Sequence, residues 1–470
     1  MRKLLLPLLP LLASACAMGP DYARPVPPAP AVGDFQSSAP GTTAGASAND
    51  WWKLYEDPAL DRLVVRALAA NTDLRAARAN LLRAQAAVRE AGAGSLPGGT
   101  VSAGANYGDG NGGGGFQQFG ASTQWSYNGA ATVDWELDLF GRIGRTLEAV
   151  RADAAAVEAT RDRVAVTVAA ETTRAYVNGC ALAEAVAVAR ESAGIAERQL
   201  SLLQTRERAG AASRLDTERS AVTLANIRAV LPQLEGRRRA ALFELAALIG
   251  ATPAEVPEEA RQCAKAPAPR AAIPVGDGQA LLARRPDVRE AERKLAAETA
   301  RIGVATAELY PRISLGGLGN FFRNDQVRGA DSFTFSLGPL ISWSWPNIVV
   351  GRAHVQQAEA SAQAALATFD GSVLNALKEV EQALSYYAAE NDRNARLREA
   401  AGHAETAYRL ADQRYRAGSI AFFELLDTQQ SWLDARGALA GSTQELGSRR
   451  IDLFKALGGG WQAAEAVASR

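Results

Sequence analysis

The sequence predicts a mixed α and transmembrane β fold: a shared β-barrel with four strands per chain, continuing into a long α-helical barrel, built from an internal two-fold sequence repeat. Three observations carry that expectation. In residues 332–345, Phe333, Phe335, Leu337, Ile341, Trp343 and Trp345 take odd positions and Ser332, Thr334, Ser336, Ser342 and Ser344 even ones, the period-2 pattern of a strand wet on one face and apolar on the other. Pro346 ends that stretch, and no proline follows from Asn347 to Arg470, which leaves room for very long helices. The same succession of motifs also occurs twice along the chain.

Taken in order, residues 1–15 have a basic start, an apolar run from Leu4 to Leu12 and small residues after it, the layout of a signal peptide too short to span a membrane. Ala13-Ser14-Ala15-Cys16 resembles a bacterial lipobox, with Ala13 where leucine is commoner. The resemblance implies that Cys16 becomes the lipidated first residue; plain cleavage near Ala15 is the alternative. Residues 16–50, rich in Pro, Gly, Ala and Ser, suit an extended linker.

A first repeat spans 51–250. Helical periodicity runs through Leu60, Leu63, Val64 and Ala67, and resumes after Asn71-Thr72-Asp73, where Asn71 or Thr72 can cap a second helix. Val101, Ala103, Ala105 and Tyr107 begin an alternation that Gly108 to Gly115 interrupts; it continues at Trp125, Tyr127, Ala131, Val133, Trp135, Leu137 and Leu139. The glycine run lacks the Gly-Lys-Ser/Thr ending of a phosphate loop and is read as a hairpin tip. From Gly141-Arg142 to Ala209 the chain is proline-free, enough for a helix on the order of 100 Å long. Gly210 suits a helix end and Ser213 a helix start, and the returning helix carries Pro232, where a kink is expected.

Residues 251–276, rich in Pro and Ala, separate the halves, and a second repeat spans 277–459 before a tail at 460–470. Asp73-Leu74-Arg75 returns as Asp287-Val288-Arg289, Gly141-Arg142 as Gly351-Arg352, and Arg208-Ala209-Gly210 as Arg416-Ala417-Gly418, at offsets between 208 and 214. Leu366, Val373, Val380 and Tyr387, then Leu425, Trp432, Leu439, Leu446 and Leu453, keep a spacing of seven, which indicates supercoiled helices. Four strands cannot close in hydrocarbon, where open edges are not tolerated, so several copies must share one barrel.

The 51 basic and 51 acidic residues cancel, which gives no support to a nucleic-acid partner. No His/Cys cluster of metal-ligand spacing is visible, His354 and His403 lie far apart in helical context, and no nucleophile-base constellation suggests an enzyme.

Cys16 followed by Gly19-Pro20-Asp21-Tyr22, Trp51-Trp52 with Asp57-Pro58-Ala59-Leu60, the duplicated halves, and Tyr415-Arg416-Ala417-Gly418 leading to Leu425-Leu426-Asp427 resemble the outer-membrane factor family, the TolC- and NodT-like lipoprotein channels of tripartite efflux systems. The resemblance covers almost the whole mature chain. It implies a homotrimer anchored in outer-membrane lipid, a periplasmic helical extension, a periplasmic adaptor and an inner-membrane RND-type pump, with no cofactor beyond the lipid on Cys16. It also implies a periplasmic gate in which Asp427 matches an acidic ring and Glu424 joins it from the same helix face, with Tyr415 and Arg416 making the inter-protomer contacts that hold the helices together when closed. Adaptor-docking tips are implied at Ala209, Gly210, Ala211, Ser213 and Leu215, and at Ala417 and Gly418. Cys180 and Cys263 fall at similar heights counted from the tip, which is compatible with a disulfide and equally with two separate thiols. A protein-secretion channel of the type I kind and a non-conducting spacer lipoprotein are the competing functions.

Overall fold

The computed structural model describes residues 18–45, 50–109, 123–343 and 348–459. The signal segment, Cys16, the centre of the glycine-rich loop, Trp345, Pro346 and the tail at 460–470 lie outside the described residues. In chain order the elements are β1 (Thr42–Thr43), α1 (Pro58–Ala70), α2 (Thr72–Ala93), β2 (Gly98–Asp109), β3 (Thr123–Leu137), α3 (Arg142–Arg208), α4 (Arg214–Leu248), α5 (Glu258–Arg261), β4 (Ile273–Pro274), α6 (Gly278–Arg284), α7 (Pro286–Ala307), β5 (Arg312–Arg323), β6 (Phe333–Ser342), α8 (Ile348–Arg416) and α9 (Phe422–Ala456). The chain forms two units, one of Met1–Pro25, Asn80–Glu158 and Glu290–Asp370, the other of Val26–Ala79, Ala159–Arg289 and Gly371–Arg470.

The first unit holds an antiparallel sheet of order β2-β3-β5-β6. Its register decides the faces. Val101 stands opposite Ala131, Val133 opposite Gly317 and Gly319 opposite Phe335, so the odd positions of all four strands share one side. Thr100, Thr132, Leu318 and Ser336 line up on the other. The odd side is apolar and open, with Phe335 at 90% and Leu337 at 76% exposure. The even side is mostly polar; Leu318, Phe322 and Leu340 depart from the pattern. Ser332, expected in the last strand, instead closes a short 3-10 turn and is buried, so β6 begins at Phe333. Leu139 likewise falls beyond β3, in the turn before α3.

The duplication repeats atomic contacts as well as motifs. In the first unit the Trp135 indole donates to the Ser95 carbonyl at 3.0 Å and the Trp343 indole to the Leu309 carbonyl at 3.2 Å, each tying a strand base to the end of the preceding helix. Asp138 caps α3, its carboxylate accepting from the backbone N–H groups of Ile143 and Gly144.

The second unit has its own core, where buried Trp51 stacks on Phe454 with ring centroids 4.5 Å apart, among Leu60, Leu245, Ile451 and Leu453. Asn71 caps α2 and also donates to the Leu248 carbonyl at the end of α4. In the second half Arg285 takes that place and donates to the Ala456 carbonyl at 2.9 Å. The buried Arg285 is bonded to both carboxylate oxygens of Asp287 and to Glu379. Burial pushes the Asp287 carboxyl up, but the hydrogen bonds and charge of Arg285 outweigh that and hold it below the ordinary carboxylate range. A disulfide joins Cys180 of α3 to Cys263 after α5, with their Cα atoms 5.1 Å apart. α4 continues as a single helix through Pro232.

Candidate functional site

Two helix hairpins, α3–α4 and α8–α9, supply the tips named from sequence, all within the second unit. Each turn is closed in the same way. Gly210 and Gly418 both have φ +73°, a left-handed conformation that costs glycine little. Ala211 N–H then reaches back to Arg206 O at 2.7 Å, and Ser419 N–H to Arg414 O at 2.9 Å, satisfying helix-end carbonyls. The helix starts differ. Ser213 accepts from Asp216 N–H and caps α4, whereas Ala421, at the same place before α9, has no side chain to do so.

Between the hairpins lies a small apolar cluster of Leu203, Ala411, Phe422 and Leu425, with Tyr408, Tyr415 and Ile420 against it. At its edge Arg206 of α3 donates to the Tyr415 hydroxyl of α8 at 2.8 Å, and its guanidinium carbon lies 5.3 Å from the Tyr415 ring centre. This bond ties one hairpin to the other within a single chain. Arg416 instead pairs with Asp412 on its own helix at 2.9 Å.

Glu424 and Asp427 are exposed on α9, and neither is paired among the described residues. Glu424 sits in the first turn, where its charge suits the helix dipole. Beside them Phe423 is exposed, with the Arg219 guanidinium 5.4 Å from its ring centre. Ala209, Gly210, Ala211, Ser213 and Leu215 are exposed at the first tip, as are Ala417 and Gly418 at the second.

The arrangement thus brings Tyr415 together with Arg206, a residue that sequence reasoning passed over. Its only signal was a cation in the last turn of a helix, which is ordinarily explained by the helix dipole. Among the described residues no group of three or more His, Cys, Asp or Glu could hold a metal ion, and no helix is long and apolar enough to cross a membrane.

A family model described as outer membrane efflux protein matches residues 63–251 and 278–459, one segment for each repeat. Nodulation protein T of Rhizobium leguminosarum bv. viciae is 29% identical over 466 residues, covering 98% of this chain and 94% of its own. Outer membrane protein OprJ of Pseudomonas aeruginosa is 30% identical over 483 residues, covering 98% and 96%. The solved structure of the outer-membrane channel OprN matches with a TM-score of 0.86 at 34% identity, covering 95% of this chain and 100% of its own. The open state of the MtrE outer membrane channel of Neisseria gonorrhoeae matches with a TM-score of 0.82 at 25% identity, covering 95% and 98%. The sheet, apolar on one face and polar on the other, the repeated long hairpins and these matches agree: the chain belongs to the outer membrane efflux protein family and is an outer-membrane efflux channel.

Proposed function

We propose that three copies of this chain, each anchored by a lipid on Cys16, form an exit duct that takes small molecules from an inner-membrane RND-type pump through a periplasmic adaptor. The observation that carries the shared barrel is the sheet: its odd face is apolar across all four strands, while among the described residues β2 and β6 each have one unpaired edge. The count of three follows the family resemblance. Unpaired backbone groups in hydrocarbon cost several kcal/mol each, so those edges must be joined by other copies. Twelve strands from three chains lie within the range of known barrels.

Gating belongs to the tips. Three copies of Glu424 and Asp427 around a narrow opening attract cations and repel one another. The Arg206–Tyr415 bond holds the α8–α9 hairpin against α3 in the resting state, and Arg416 steadies the last turn of α8. The small exposed residues Ala209, Gly210, Ala211, Ser213, Leu215, Ala417 and Gly418 leave room for an adaptor to dock.

The test is oligomer mass and single-channel conductance on one purified, detergent-extracted sample. The expected result is a trimer with cation-preferring openings, whose selectivity and conductance change when Glu424 and Asp427 are both replaced by lysine. A monomer that never conducts would overturn the duct, and a conducting trimer indifferent to the double substitution would remove the acidic ring.

A further inference from the structure

The seam between α8 and α9 is built in layers near the tip. Phe422, Leu425, Gln429 and Trp432, spaced by three and four, are all buried on α9. Phe422 meets Tyr415 with ring centres 5.6 Å apart, Leu425 packs in the cluster of Leu203 and Ala411, and Trp432 stacks flat on Tyr408 at 4.8 Å. Gln429 falls between these apolar layers. It is 0% exposed, and neither its amide oxygen nor its amide nitrogen has a hydrogen-bond partner among the described residues. The Trp432 indole N–H in the next layer is also without one.

A second polar layer of the same seam is fully bonded. Asn394 donates to Ser442 and Thr443 and accepts from Arg398, and Ser442 donates to Glu390. The two layers therefore have opposite consequences. A bonded network fixes the register of two helices, whereas an unbonded buried amide penalises the packed arrangement that encloses it. Separating the helices near the tip returns the Gln429 amide to water, and the N-terminus of α9 just beyond has no side-chain cap to resist.

We infer that Gln429 is a gating residue: its unbonded amide weakens the tethered packing of the α8–α9 tip and shifts the channel toward opening, while the Asn394–Ser442 network is the fixed point about which the tip moves. The inference rests on the gate proposed above and adds a determinant within it. Leucine, close in size and apolar, removes the penalty without leaving a cavity.

The experiment compares Gln429→Leu, Gln429→Met and Tyr415→Phe channels with the unaltered trimer in planar bilayers. In both Gln429 variants open probability is expected to fall about tenfold, since an unbonded buried amide weighs on the order of one decade or more in an equilibrium constant. Tyr415→Phe removes the Arg206 bond and should raise it, which reads the gate independently. If Tyr415→Phe alters gating while both Gln429 variants behave like wild type, the soft layer is refuted and the gate stands. If no variant alters gating, the gate reading itself fails. Hydrogen exchange over residues 422–432 then decides the layer: slower exchange in Gln429→Leu sustains it, and unchanged exchange overturns it. The methionine variant guards against a leucine that fails to pack.

Discussion

Gly303, near the C-terminal end of α7, is a position where one added methyl group should release a whole segment. Residues 18–24 form a strap over α7 and the start of α3, all in the first unit. Gly19, at φ +88°, lies so close to α7 that a Cβ on it would stand 2.5 Å from Gly303 Cα. A Cβ on Gly303 would stand 2.6 Å from the Met18 carbonyl and 2.8 Å from Arg145 Cγ. The first obstacle is backbone, which cannot rotate away. Around this contact Arg145, its side chain 6% exposed, donates to the carbonyls of Met18 and Gly19 and to Asp21. Further along, the Tyr22 hydroxyl donates to Glu292 at 3.2 Å, and burial, then the Glu292 charge, pushes its pKa up to about 12, so it stays protonated at any physiological pH. Overpacking costs about 1–3 kcal/mol, and the lost bonds from buried Arg145 add about 1–2 kcal/mol once the exposure of Asp21 is discounted. Gly303→Ala should therefore loosen the strap by about 3 kcal/mol, roughly a hundredfold in its opening equilibrium. Chymotryptic cleavage after Tyr22, followed under conditions where the rest of the chain resists, reads that opening. A rate equal to wild type would refute the reasoning, because it would mean that the strap does not need the space Gly303 leaves.

The remaining predictions concern the second unit. The Cys180–Cys263 bond closes a loop of 83 residues, so Cys263→Ser should release about 4.5 kcal/mol of chain entropy into the unfolded state; faster hydrogen exchange over 251–276 and a lower melting temperature are expected, and a reductant should reproduce both in the wild type. The Asp287 carboxyl is held below its ordinary value, so its contribution is fully present above about pH 4 and disappears as pH falls through the lowered value. Asp287→Asn should accordingly melt lower than wild type at pH 7, with the gap closing as both are titrated toward pH 3.

Period-2 alternation was enough to assign the strand faces, because a one-residue slip would invert every side chain. The register across four strands was not legible, since it depends on which residues of remote segments meet. Helix starts at Asn71 and Ser213 could be read from residue type because capping is local. The heptad stripe was a partial guide: Val380 and Leu453 are fully buried, while Leu366, at the same spacing, is 41% exposed. Spacing identifies a face and does not say whether the same chain covers it. The strap at Gly303, the Arg206–Tyr415 bond and the choice between disulfide and free thiols all join residues far apart in sequence, where no local pattern records the pairing. Gln429 was accessible in principle, lying between Leu425 and Trp432 in the stripe, but a polar side chain at a seam position gives no warning that its amide is unbonded.

The duplication separates what the architecture requires from what each half does with it. Where the backbone must turn, the halves are the same: Gly210 and Gly418 share a dihedral, and Trp135 and Trp343 make the same bond at the strand bases. Where a helix end must be secured, the position is kept and the chemistry changes, a neutral Asn71 in one half and a buried, doubly paired Arg285 in the other. At the tips the difference has one direction. The first is capped by Ser213, whereas the second begins on uncapped Ala421, carries the exposed Glu424 and Asp427, and encloses the unbonded Gln429. The missing cap and the unbonded Gln429 amide lower the resistance of α9 to leaving its place, whereas Ser213 secures the start of α4. Glu424 is not part of that difference, since Asp216 holds the matching first-turn position of α4. On the gating reading the first hairpin is therefore the frame and the second the moving part. The Arg206–Tyr415 bond is then a contact from frame to moving part, and loosening it need not disturb either turn.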